Sequence, residues 1–542
     1  MNGFRKYSAL ALASAATILI IAAISLTQTQ MNRIITEDKL TYSDPVKNAP
    51  PVVAFTTVAL GSFRGLIADL LWLRASALQD EGNYFEMVQL ASWITKLQPN
   101  FSGATAYLAW NMAYNISVTC SSFVDRWRWV SKGIELIRDE ALVYNPTDPV
   151  LYKELAWIYQ HKVGNILDDA NLYYKNQMAM ALMRPFGGPE PDWEALAKAP
   201  SSINAFDKKY PAKSPYRDAL KAAGLDNTAA LLAYFEEKTQ LPEKFVETLA
   251  NSSEIKKIIS FLRAEWLREQ FKLDPVLILT INKRYGAFDW RLPETHAIYW
   301  ATLGLERCPG NADVSLERMI TQAIKDSFMS GRLLMVDVKN YENIITVPNL
   351  KVVDSVLKAY QEAYDKNKNN SFLSAKENFM KDAIVVLYTF GGYAKAQEYL
   401  DLLKKEFPGN KEYKTDLDRF VMKEWSEDVK SATMKQANDM VSGLLFRSCY
   451  YLVYGDNTAY ESHEKLARLV YTRYQNDQAG VQKRTGLAPF NEIKSNIIKT
   501  CLKNFPPDIA KILETQIKAQ QAAAKKELGL PEEDTKNSPP EK

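Results

Sequence analysis

From about residue 61 onward, apolar residues recur at spacings of three and four, and no stretch keeps a two-residue alternation between turn dipeptides. A chain patterned this way buries one stripe of each helix, so the expected fold class is all-α. With 542 residues it exceeds what one compact core usually holds. The helices must divide into several domains or stack as an elongated array.

Several segments share one order of features: a helix with aromatic or Leu residues, a Leu–small pair, a turn, a second helix with a small residue, and a closing Pro. "YKELAWIY" puts Tyr152, Leu155, Ala156 and Tyr159 at the W-x2-L-G-x2-Y spacing of a tetratricopeptide first helix, and Ala170 with Tyr174 continues it on a second. "WATLG" supplies Trp300, Leu303 and Gly304, with Arg307 where an aromatic would stand. "TFGGYAKAQEYLDLLKKEFPGN" supplies a Gly391–Gly392 turn, Ala396, Leu400 and Pro408. Pro99 and Pro146 fall where second helices should close, and the 47 residues between them exceed the repeat unit of about 34. An insertion around "ISVTCSSFVDRWRW" would account for the excess. The expectation is a tetratricopeptide-like α-solenoid of degenerate helix pairs, each burying its stripe against the next; an irregular helical bundle is the competing arrangement.

Arg5 and Lys6 precede an uncharged run from Tyr7 to Leu26, long enough as a helix to span about 30 Å at about 1.5 Å per residue. It reads as an uncleaved transmembrane anchor, because it exceeds the usual signal-peptide core; Ala23 and Ser25 keep a cleaved signal peptide as the alternative. Either way the basic start holds the amino terminus inside and sends the remainder across the membrane. The second apolar stretch, Pro50 to Leu73, contains Arg64 and Asp69, each costing on the order of 3 kcal/mol near a bilayer centre, so only one span is expected. The organisation read from the sequence is anchor or signal peptide at 1–27, connector at 28–60, repeats at 61–186, a helical insertion or atypical repeats at 187–280, repeats at 281–415, a C-terminal helical region at 416–528 and a disordered tail at 529–542.

A balance of 67 Lys and Arg against 64 Asp and Glu gives no bulk attraction to nucleic acid or anionic lipid. Cys120, Cys308, Cys449 and Cys501 have no zinc-site spacing; a Cys449–Cys501 disulfide stays open in an oxidising compartment. Three histidines, His161, His296 and His463, offer little material for a histidine-based site, and no nucleotide, hydrolase or zinc-peptidase signature occurs. No catalytic, metal-binding or cofactor-binding residue is therefore assigned.

Residues 148–174 still hold a candidate cluster. Asp148 and Pro149 make a helix start, Gly164 a stop, and Glu154 and His161, seven apart, share a face that Asp168 or Asp169 could join. The architectural reading places Asp168 and Asp169 in the first turn of the following helix and His161 as a cation near a helix C-terminus. Asn111 and Asn115, four apart, could hold a peptide backbone through their amides or simply bond between helices. "DRWRW" pairs Trp127 and Trp129 with Arg126 and Arg128, to bind sugar or a partner or to pack an insertion in place.

The blocks "ADLLWLRASALQDEGNYFEMVQLASWITKLQPNF", "AWNMAYNISV", "DRWRWVSKGIELIRDEALVYNP", "LYKELAWIYQHKVG" and "INKRYGAFDWRLPETHAIYWATLGLE" resemble a family of uncharacterised membrane-anchored, tetratricopeptide-like bacterial proteins. The resemblance covers Ala68 to Gly164 and Ile281 to Glu306, and implies a Gram-negative envelope protein with no assigned catalytic residues. The expected role is a single-pass inner-membrane scaffold with its body in the periplasm, binding a protein or peptide in a concave groove within a transport, secretion or pilus-like assembly. Groove candidates are Asn111, Asn115, Glu154, His161, Trp290 and Arg291. The alternatives are an envelope carbohydrate-active enzyme, with Trp127 and Trp290 as subsites and Glu154 with Asp168 as its carboxylate pair, and a purely structural oligomer.

Overall fold

The computed structural model describes residues 63–98, 101–165, 167–309, 314–335, 344–430, 434–477 and 487–527, together with Tyr341 and helical residues within 17–34. The connector and the polar tail lie outside the described residues, as does most of the Tyr7–Leu26 run. Among the described residues no helix is long and apolar enough to cross a membrane.

Among the described residues the fold is all-α but for one short antiparallel sheet, Arg332–Met335 with Ile345–Val347, whose register shifts between Leu333 and Met335. These strands were not expected, because two strands of four and three residues leave too few alternations to register in a sequence pattern. Contacts divide the chain into two units, residues 1–327 with 331–347, and residues 328–330 with 348–542.

In the first unit, Phe63–Glu81 and Tyr84–Leu97 fold back on each other through Gly82, whose φ of +74° is the left-handed turn that glycine adopts without penalty. The next two long helices are each interrupted by a turn of i→i+5 hydrogen bonds: Ser102–Trp110 continues through Asn111–Ile116, and Phe123–Glu135 through Leu136–Ala141. They nearly touch, since a Cβ on Gly133 would stand 2.7 Å from the Ala109 carbonyl oxygen. The excess length between Pro99 and Pro146 is thus taken up by long, widened helices; "ISVTCSSFVDRWRW" is one helix end, a short connection and the Ser122-capped start of the next, not an insertion.

Asp148 caps the following helix by accepting from the Val150 N–H at 2.9 Å, with Pro149 in the first turn, and the helix runs through the π-turn Ile158–Val163 to Gly164. Tyr152, Leu155, Ala156 and Tyr159 are all buried. Their main partner is Pro293–Arg307, more than a hundred residues away, rather than Asn171–Phe186, which follows in sequence. Between these partners, short capped helices from Trp193 to Trp266 enclose a core of their own, in which Phe206 stacks on Phe261 at 3.9 Å with Tyr216, Phe245 and Trp266 around them.

In the second unit, Val353–Asn367, Asn370–Thr389 and Tyr393–Glu406 pack one against the next. Gly391 turns at φ +79° with Thr458 so near that any side chain would collide, and Ala396 and Leu400 are buried just beyond it. Met434–Val453 and Asn457–Asp477 form the most extensive helix pair, which Phe490–Asn504 joins.

Candidate functional site

Tyr107, Trp110 and Tyr114 sit three and four apart, so one helix presents all three rings on a single face. Successive centroids lie 6.4 and 5.4 Å apart with planes inclined by 26° and 23°. Trp72, from the preceding hairpin, extends the row 5.4 Å beyond Tyr107. At the other end the π-turn Ile158–Val163 brings His161 to 5.7 Å from Tyr114, and Trp157 stacks on that imidazole at 4.5 Å and 12°. Six rings from three helices form one ladder. Tyr107 is 47% exposed and Trp157 36%, so two members of the ladder are open to solvent while the other four are half-buried.

The polar groups around the ladder are tightly paired. Tyr114 Oη and His161 Nδ1 hydrogen-bond at 3.2 Å. Burial, helped by nearby Glu154 and Asp168, pushes the Tyr114 hydroxyl above its usual range, while burial and Lys162 push His161 down. Both shifts favour the neutral forms, which works against His161 as a helix-terminal cation. Behind the ladder the buried Lys162 ammonium lies 5.4 Å from the Tyr114 ring and 5.9 Å from Tyr174, and is salt-bridged to Asp168.

Asp168 and Asp169 precede the helix Asn171–Phe186 instead of occupying its first turn. Asp168 Oδ1 accepts from the Ala170 N–H at 2.9 Å and lies 3.8 Å from Arg126, which also pairs with Asp169. Although burial opposes it, hydrogen bonds from Lys162 and Ala170 and the charges of Lys162 and Arg126 hold this carboxyl below its usual range. Asp168 is therefore a fixed counter-ion, a poor choice for half of a hydrolytic pair with Glu154. Glu154 pairs with its neighbour Lys153 at 3.2 Å.

Asn111 is fully buried and exchanges two amide hydrogen bonds with Gln79, at 3.0 and 3.2 Å; Asn115 donates to Asn111 Oδ1. This amide pair ties the first hairpin to the ladder helix, and full burial puts Asn111 out of reach of a peptide backbone. Trp290 and Arg291 are buried too. Trp290 Nε1 donates to Asn282 at 3.0 Å; Arg291 forms a two-toothed pair with Asp289 at 2.8 and 2.6 Å and donates to the Leu333 carbonyl at 2.9 Å. Arg291 anchors the sheet, and Trp290 ties the loop before Pro293 to the helix Pro275–Tyr285, so both are committed to internal packing rather than to a groove. Trp127 likewise packs at 5.8 Å on Tyr174, and Trp129 edge-on against Tyr84 at 5.8 Å.

Of the six groove candidates, the structure brings His161 onto the exposed ladder, with Glu154 near its Tyr114 hydroxyl. The ring residues Trp72, Tyr107, Trp110, Tyr114 and Trp157 were not singled out from sequence. The three-and-four spacing within 107–114 and the Trp157–His161 spacing of four were the readable signal. No protein-family model matches the chain, and no curated protein matches it.

Proposed function

We propose that this chain is a membrane-tethered, extracytoplasmic scaffold of tetratricopeptide-like helix pairs that holds a protein partner on the ladder from Trp72 to Trp157. The observation carrying this reading is the ladder itself: six rings held by mutual contact, two of them open by a third or more. Preset aromatic surfaces lose little side-chain entropy on contact and are where binding energy concentrates in protein interfaces. Recognition is by shape and ring contact, with no chemical step, and the basic and apolar amino-terminal run supports attachment to an inner membrane with the body in the periplasm.

The test is affinity capture of the full-length protein from detergent-solubilised envelopes, with partners identified by mass spectrometry, beside a variant carrying Tyr107→Ala and Trp157→Ala. A partner retained by the wild type and reduced at least tenfold by the variant supports the proposal; equal retention refutes it. A second reading, an envelope carbohydrate-active protein, draws on the same ladder, because flat rings in a row also suit stacked sugars. Release of sugar from purified envelope glycan by the wild type would favour it.

A further inference from the structure

A cleft of about 400 Å³ lies where Leu142 and Val143 face the loop Lys272–Asp274 and the helix Pro293–Arg307, away from the ladder residues. That volume is in the range of small-molecule sites. Its walls combine apolar surface from Leu142, Leu273 and Leu303 with four basic side chains, Arg138, Arg268, Lys272 and Arg307.

Two of the four are already neutralised. Arg138 is paired through two nitrogens with Asp139, both at 2.7 Å, and Arg268 lies 3.4 Å from Glu265 and 3.6 Å from Asp274. Lys272 and Arg307 differ: among the described residues neither has a carboxylate partner, and Arg307 only donates one hydrogen bond, to Tyr152 Oη at 3.3 Å. The backbone beneath Lys272 is fixed, since the Tyr299 hydroxyl donates to its carbonyl and accepts from the Asp274 N–H at 2.7 Å. Asp274 also caps the helix that follows it. That leaves Tyr299 and Asp274 engaged in holding the rim rather than facing a ligand.

A further donor belongs to the same wall. Trp300 is 3% exposed, lines the cleft, and its indole N–H has no hydrogen-bond partner among the described residues. A buried donor without an acceptor is unfavourable, and an acceptor on a group bound in the cleft would relieve it. Two uncompensated cations, an unused N–H and hydrocarbon walls are together complementary to an acceptor-rich negative head on an apolar body.

We propose that this cleft binds a small amphiphilic anion, with its carboxylate or phosphate head between Lys272, Arg307 and Trp300 and its hydrocarbon part against Leu142, Leu273 and Leu303. Both heads share the required chemistry. The partner-binding ladder is not involved, so either proposal can fail alone.

The test is calorimetric titration of the full-length protein with hexanoate, hexyl phosphate, inorganic phosphate and hexanol. One of the six-carbon anions should bind saturably at one site, at least tenfold tighter than inorganic phosphate, while hexanol gives no saturable heat. Tighter hexanoate assigns a carboxylate ligand and tighter hexyl phosphate a phosphate one. Lys272→Gln, at an exposed side chain, should weaken the preferred anion about tenfold, K272Q with R307Q should abolish binding, and Trp300→Phe should weaken it several-fold. Failure of both anions to bind, equal binding of hexanol, or unchanged anion affinity in K272Q overturns the proposal.

Discussion

Gly304 lies against Tyr152 so closely that a Cβ on the glycine would stand 2.7 Å from the tyrosine Cβ and 3.1 Å from a Leu316 methyl. The two helices meet backbone to side chain at that point. Gly304→Ala should therefore destabilise the first unit by about 1–3 kcal/mol, overpacking outweighing the roughly 1 kcal/mol that alanine contributes to helix propensity. Gly103→Ala is the control, because nothing lies within 4 Å of its added methyl. Guanidinium unfolding midpoints should fall for G304A and hold or rise for G103A.

Removing the Asp168 carboxylate strands a buried ammonium. Asp168→Asn should cost about 3–5 kcal/mol, since Lys162 loses its counter-ion in a site its ring neighbours alone do not compensate. K162M combined with D168N should recover most of that loss in the same denaturation assay. The folded carboxyl sits below the ordinary aspartate range, so the pair's contribution is complete above that range and disappears as pH falls through the folded value.

His296 and His463 are buried as neutral rings, each donating to a backbone carbonyl, of Trp290 at 3.1 Å and of Ala459 at 2.7 Å. Burial lowers both to about 4. Between pH 6.5 and 4 the unfolded chain then binds protons that the folded chain does not, so each imidazole's share of stability, about 3 kcal/mol, is present above pH 6.5 and lost on acidification towards 4. His296→Gln keeps a donor but cannot titrate. Subtracting its stability profile from the wild type's isolates the histidine from Glu294, whose carboxyl is raised by burial and acts in the opposite sense.

The Cys449 and Cys501 thiols share one buried cluster with Leu452 and Leu513 and are near enough to influence each other's ionisation. The interaction between the two thiols holds Cys449 below the usual thiol range and, with burial, pushes Cys501 up. Oxidised glutathione should convert the free pair into a disulfide across a loop of about 50 residues, adding up to about 4 kcal/mol in the chain-entropy picture. Peptide mapping after alkylation should find the crosslink in the wild type and not in Cys501→Ser. Protein trapped directly from cells should carry it if the body faces an oxidising compartment.

The helix start at Asp148 and Pro149, the buried spacing from Tyr152 to Tyr159, and the Gly391–Gly392 turn were readable because each follows from chemistry within a few residues. The π-turns were not. An i→i+5 turn uses the same residue types as an α-turn, yet the four among the described residues, the fourth being Leu267–Phe271, carry Asn111 and Tyr114, Arg138, His161 and Lys162, and Arg268. Trp290 and Arg291 stand among the groove candidates by sequence; their burial depends on Asn282, Asp289 and Leu333, which no local pattern connects to them. Only the fold brings His161 beside Tyr114.

The helix carrying Tyr152 finds its main partner only when the segment carrying Gly304 has been made. At about 5–20 residues per second, roughly 8–30 s separate the two on a translating ribosome. During that interval the intervening residues can assemble their own core around Phe206 and Phe261, while the waiting apolar face of Tyr152 and Ala156 stays uncovered. A nascent chain paused there is the form most exposed to aggregation and most in need of a chaperone.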